Sequence, residues 1–130
     1  MQDREVLDYI KQAFDLKAQG CYKQAIEMLY KTLETEIDNI EILYQLGDLY
    51  FQLHNYQRAE KYLEKVLVKN SMHLDAYKLL KELYVRQKNY ESAKTIAEKI
   101  YTIEASPKSL VSLINILSEL KEFEEIEKYI

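Results

Sequence analysis

Glycine and proline are nearly missing from this chain, with 2 Gly and 1 Pro among 130 residues, where average usage would supply roughly nine and six or seven. Those residues build tight turns, so their scarcity excludes a β-sandwich with many short connections and favours long helices. Tryptophan is absent. The single cysteine, Cys21, rules out an internal disulfide and any multi-cysteine metal centre, and it is compatible with a reducing compartment. No apolar run approaches the roughly 20 residues of a membrane span, and the opening Met-Gln-Asp-Arg-Glu lacks the apolar stretch of a signal peptide. A soluble, cytoplasmic chain is therefore the expectation. Clustered positive charge is missing as well. The net charge is -4 and the pI about 5.3, which disfavours nucleic acid, since phosphate binding draws on a concentrated basic surface. With two glycines there is no phosphate-cradling loop either.

The chain does have apolar residues in ordinary proportion, 48%, beside 31% charged, enough to fold as one domain of common size. It also has 12 tyrosines against 3 phenylalanines. Their placement is periodic. Tyr22, Tyr56 and Tyr90 are 34 residues apart, as are Ala25, Ala59 and Ala93, and Lys31, Lys65 and Lys99. The pairs Tyr50 and Tyr84, Leu29 and Leu63, Leu33 and Leu67, and Asn55 and Asn89 keep the same period. A fixed period of this length is the signature of a repeat architecture. It divides the chain into units 6–39, 40–73 and 74–106, with a partial fourth over 107–130.

Within each unit, apolar residues recur twice at helical spacing with a break between, so each unit is expected to be a helical hairpin. In the second unit the first helix carries Leu43, Leu46, Gly47 and Tyr50, and the second Ala59, Leu63, Val66 and Leu67. The breaks fall at Gly20-Cys21-Tyr22, His54-Asn55-Tyr56, Lys88-Asn89-Tyr90 and, one residue early, Lys121-Glu122-Phe123. Gly20 is the best-formed stop, because glycine takes the left-handed conformation that ends a helix without strain. Asn39 and Ser106 are placed to cap the following helices, with Pro107 at the first helical position of the last hairpin.

The second unit, with Leu43, Leu46, Gly47, Tyr50, Tyr56, Ala59, Leu63 and Val66, resembles the tetratricopeptide repeat at nearly every signature position. Units one and three match it less completely, through Tyr9, Ala13, Leu16, Tyr22, Ala25 and Leu29, and through Tyr77, Tyr84, Tyr90, Ala93 and Ala97. Three positions depart from the pattern. Tyr9, Leu43 and Tyr77 replace the frequent Trp, Ser71 replaces the usual Pro, and Lys81 stands where Ala13 and Gly47 stand. Small residues there let paired helices approach closely, so Lys81 is expected to loosen that packing or to run its stem along apolar surface toward water. The resemblance implies an all-α, right-handed superhelical solenoid of antiparallel helical hairpins, three full repeats plus a partial fourth. It also implies a non-catalytic module whose first helices line a concave groove for a peptide segment of a protein partner.

The first helices carry a second stripe beside the core stripe: Ile10, Phe14 and Lys17; Tyr44, Asp48 and Phe51; Lys78, Glu82 and Val85; and Val111, Asn115 and Ser118, with Arg86 alongside. Aromatic anchors ringed by a few charges suit peptide capture. Ile10, Phe14 and Phe51 equally suit packing between adjacent hairpins. Some members of the family clamp a C-terminal carboxylate with Lys, Asn and Arg on this stripe. Here Ile10, Phe14 and Tyr44 stand instead, Asp48 would repel a carboxylate, and only Lys78 and Arg86 would help, so acidic C-terminal chaperone tails are not expected to bind.

Other functions have thinner support. His54 and His73 fall at a hairpin break and a unit boundary, Cys21 lies in a break position held elsewhere by Asn55 and Asn89, and the glutamates of 119–127 show no metal-ligand spacing. An enzyme is not expected, nor a cofactor or metal. Single-stranded RNA binding, which other helical repeats perform, is disfavoured by Asp48 and Glu82 on the stripe. Self-association is the competing reading. The fourth hairpin stops early, leaving Leu113, Leu117, Ile126, Tyr129 and Ile130 at an open apolar end, as in a homodimer contact or a piece of a longer array. Tyr30, Tyr62, Tyr101 and Tyr129 lie on second helices with no role assigned by the pattern.

Overall fold

The computed structural model describes residues 3–36 and 39–130; Ile37 and Asp38, within the span of the first repeat, lie outside them. Among the described residues there are eight helices and no strand. They are α1 (Asp3–Ala18), α2 (Tyr22–Leu33), α3 (Ile40–Gln52), α4 (Tyr56–Lys69), α5 (Leu74–Arg86), α6 (Tyr90–Ile103), α7 (Pro107–Glu119) and α8 (Phe123–Glu127). The repeat boundaries expected at 40, 74 and 107 are the first residues of α3, α5 and α7.

Local chemistry accounts for these starts. The side chain of Asn39 accepts the Ile42 backbone N–H at 3.1 Å, and Ser106 forms a reciprocal box with Ser109 in front of Pro107. His73, at the boundary between the second and third units, also caps a helix, its Nδ1 accepting the Ala76 N–H at 3.1 Å. The hairpin turns follow one design. Gly20, His54, Lys88 and Lys121 take φ of 79°, 61°, 58° and 59°. In each turn the next residue donates its N–H back into the preceding helix, Cys21 to Leu16, Asn55 to Tyr50, Asn89 to Tyr84 and Glu122 to Leu117, at 2.8–3.0 Å. Asn55 and Asn89 then cap α4 and α6 with their side chains, while Cys21 and Glu122 make no such bond.

The chain forms two compact units, Met1–Ser71 and Met72–Ile130. In the first, α1 packs on α2, α2 on α3, and α3 on α4, around fully buried Leu29, Ile42, Leu46, Leu49, Leu63 and Val66. In the second, α5 packs on α6, α6 on α7, and α7 on α8, around Ala93, Ala97, Leu113, Ile116 and Leu117. The close approach expected at Gly47 is present, for a Cβ there would sit 3.0 Å from Leu63 Cγ. Lys81 occupies the same position in α5, and the residue in the Leu63 register is Ala97, which is buried. A large residue on one helix is thus matched by a small one on the other. The Lys81 ammonium ends on Ser112 Oγ, 2.8 Å away.

The unassigned tyrosines join neighbouring hairpins. Tyr50 and Tyr62 stack with ring centroids 5.8 Å apart, the Tyr30 hydroxyl shares a 2.6 Å hydrogen bond with Tyr50, and Tyr62 donates to Tyr30 at 3.0 Å. In the second unit Tyr101 meets Tyr129 edge to face at 5.7 Å.

Candidate peptide-binding faces

The first helices of the hairpins carry the stripe on a separate face in each unit. In the first unit, α1 contributes Ile10, Phe14 and Lys17, and α3 contributes Tyr44, Asp48 and Phe51. Two of these six belong to the core, Ile10 being 8% and Phe51 5% exposed. At that burial neither is free to meet a ligand, although Ile10 shares its register position with half-buried Tyr44 and Phe51 with half-buried Lys17. Phe14 is 42% exposed and Tyr44 half-buried. Between them Lys17 pairs with Asp48, lies 3.4 Å from Gln45 Oε1, and holds its ammonium 5.8 Å from the centre of the Phe14 ring. The accessible part of this face is an aromatic residue on each helix with an internally neutralised ion pair beside them.

The second unit differs. Lys78, Glu82 and Arg86 are exposed on α5 and Val85 half-buried; Lys78 reaches Glu104 only loosely, at 3.7 Å. Between α5 and α7 a cavity of about 260 Å³ is lined by Lys81, Glu82, Val85, Tyr90, Ser112, Asn115, Ile116 and Glu119. Glu82, Val85 and Asn115 are stripe residues; Lys81, Tyr90, Ser112, Ile116 and Glu119 were not read as site residues. Lys81, expected to loosen the packing or to run its stem toward water, takes the second course, its ammonium ending on Ser112 Oγ; a charged residue in a core position next to the stripe is itself a signal of an opening. Burial pushes the Lys81 amine below the usual lysine range, Glu82 partly offsets this, and Lys108 and Lys78 add to it.

A larger cavity, about 530 Å³, lies along α1 and α2 and is lined by Tyr9, Leu16 and Met28 among others. Leu16 and Met28 hold the register of Tyr50 and Tyr62, the residues by which the second hairpin meets Tyr30 of the first. Cys21 is half-buried, at the rim of a third cavity with Gly20 and Leu53. Among the described residues no group of three or more His, Cys, Asp or Glu is placed to hold a metal ion, and no helix is long and apolar enough to cross a membrane.

Known structures share this hairpin arrangement. MamA RS-1, solved as a double mutant, superposes with a TM-score of 0.86 at 22% identity, covering 95% of this chain and 70% of that one. A tetratricopeptide repeat protein from Parabacteroides merdae ATCC 43184 gives 0.83 at 20% identity over 98% of this chain and 50% of its own. The first repeat domain of Spaghetti (RPAP3), bound to the HSP90 peptide SRMEEVD, gives 0.83 at 20% identity over 93% and 97%. No curated protein matches the sequence significantly. The family model of the tetratricopeptide repeat matches residues 16–79, spanning the second helix of the first hairpin, the whole second hairpin and the entry to the third. Residues 16–79 thus belong to the tetratricopeptide repeat family, and the hairpins on either side keep the same 34-residue register and the same fold.

Proposed function

We propose that this chain is a non-catalytic protein-interaction module that takes peptide segments of a partner on the first-helix faces of its hairpins. The observation that carries the reading is Phe14, an aromatic ring 42% exposed on the same face as half-buried Tyr44, with the nearby charges of Lys17 and Asp48 already paired. Aromatic anchors set among neutralised polar groups are where binding energy concentrates. The related fold of RPAP3 is bound to SRMEEVD, an acidic peptide. Here Asp48 lies on the first-unit face and Lys17 is committed to it, so an apolar or aromatic segment suits this face better than an acidic one.

Peptides selected from a random phage library on the immobilised chain provide the test. Phe14→Ala combined with Tyr44→Ala is expected to weaken the selected peptides by about tenfold or more, with a melting temperature within a few degrees of wild type. The peptide SRMEEVD is expected to show no submillimolar affinity by calorimetry. Unchanged binding in the double variant would remove the first-unit face from the function.

A second reading, association of two copies through the fourth hairpin, is favoured by Phe123 and Ile130, exposed by 60% and 91%. Light scattering that finds a monomer at high concentration would eliminate it. A dimer dispersed by Ile126→Asp plus Ile130→Asp would support it.

A further inference from the structure

The two units treat equivalent positions in opposite ways. In the first, Lys17 of α1 stretches across to Asp48 and Gln45 of α3 and passes over the Phe14 ring. Two repeats along the register, Lys17 becomes Val85, Phe14 becomes Glu82, Asp48 becomes Asn115 and Gln45 becomes Ser112. All four of these line the 260 Å³ cavity. The long basic side chain that fills this place in the first unit is replaced by a short apolar one, and in the second unit the space stays open.

Charge indicates what would fill it. Glu82 of α5 and Glu119 of α7 both line the cavity, and among the described residues neither meets a basic side chain at ion-pairing distance. Lys81, the cation among the lining residues, is engaged with Ser112 Oγ, which leaves an excess of one carboxylate. Val85 and Ile116 add apolar surface and Tyr90 an aromatic ring. An acidic ligand would have to approach two carboxylates. A cation with an apolar stem meets complementary surface on every side but that of Lys81.

We infer that this cavity is a subsite for an arginine side chain of the bound peptide, supplying from the partner the cation that Lys17 supplies internally in the first unit. Arginine fits better than lysine. Its planar fork can donate to two carboxylates together and its face can stack on a tyrosine ring, whereas an ammonium acts as a point charge. Its methylene stem would cover Val85 and Ile116. The inference rests on the peptide-binding reading of these faces, and its test is separable from the test of that reading.

The full ¹⁵N-labelled chain can be titrated with N-acetyl-L-arginine amide, N-acetyl-L-lysine amide and N-acetyl-L-glutamine amide. The arginine probe is expected to give saturable amide shifts confined to α5 and α7, with weak affinity on the order of millimolar for so small a ligand; the lysine probe binds more weakly and the glutamine probe not at all. Glu82→Gln plus Glu119→Gln, both at exposed residues, should lower the arginine affinity about tenfold or more through loss of the charge-assisted hydrogen bonds, with unchanged melting. Val85→Lys, which restores the first-unit arrangement, should abolish the shifts. Equal shifts from the glutamine or lysine probe, shifts centred outside α5 and α7, or full affinity in the double glutamine variant would overturn the subsite. Failure of the peptide-binding reading has a different pattern: library-selected peptides indifferent to Phe14→Ala plus Tyr44→Ala, with the arginine probe still on α5 and α7.

Discussion

One residue in each hairpin turn takes a left-handed conformation, and only the first hairpin puts glycine there. His54, Lys88 and Lys121 adopt φ near 60°, a region that costs an L-residue with a Cβ about 1–2 kcal/mol. Glycine removes that cost but adds about 0.5–1 kcal/mol of chain entropy on folding, so the net gain is at most about 1.5 kcal/mol. Lys88→Gly is therefore expected to raise the unfolding free energy obtained from urea titration by up to that amount, while Gly20→Ala should lower it; a Lys88→Gly variant less stable than wild type would contradict the assignment of strain. Gly20 was legible as a helix stop because its residue type announces the backbone. His54 and Lys88 were not, because the requirement belongs to the register position, and their residue types conceal it. Asparagine also tolerates the left-handed conformation, but the asparagines that follow them do not take it. They are instead caps of the next helix, accepting the N–H of Arg58 and Ser92 at 3.3 Å.

Between helices, the sequence pattern located the close contact at Gly47 and the odd residue at Lys81, but the compensation by Ala97 needs both helices of the hairpin aligned together. The second stripe was more ambiguous, since helical spacing puts groove and inter-hairpin residues only one position apart. Burial separates them. Phe14 stays on the surface, whereas Phe51 is 5% exposed and its ring centre lies 5.7 Å from that of Tyr56. Phe51→Ala is thus expected to cost about 3–5 kcal/mol, as aromatic truncation in a core does, and to lower the melting temperature accordingly. A variant that melts like wild type but loses a peptide ligand would return Phe51 to the binding face. The tyrosines of the second helices were opaque to the pattern for a related reason. Tyr30 contacts Tyr50 and Tyr62 from a different repeat, at register positions that are not equivalent, so a periodicity search within single positions passes over them.

Across the whole chain, burial shifts ionisable groups of opposite kinds in the two units. In the first unit, burial raises the Tyr30 and Tyr50 hydroxyls above their usual value of 10.0, the mutual hydrogen bond raising Tyr50 further and Arg58 opposing it. A neutral acid favoured by the fold gives stability that is present below pH 10 and lost as pH climbs through the raised values. In the second unit, burial lowers Lys81 below its usual 10.5. Its buried ammonium is a penalty present at neutral pH and relieved as pH rises through the lowered value toward 10.5, because the unfolded chain there holds more protons than the folded one. Raising the pH into this range therefore weakens the first unit while it strengthens the second. Methyl correlation spectra recorded through urea titrations at pH 7 and about pH 10.5 can follow both, since methyl protons do not exchange with water. The midpoint of Leu29, Leu46 and Leu63 is expected to fall relative to that of Leu83, Leu113 and Leu117. In Lys81→Met the second-unit contribution should vanish, and in Tyr30→Phe plus Tyr50→Phe the first-unit contribution should; a pH response identical in both sets of methyls, in wild type and variants alike, would show that these buried groups do not govern the alkaline stability of their units.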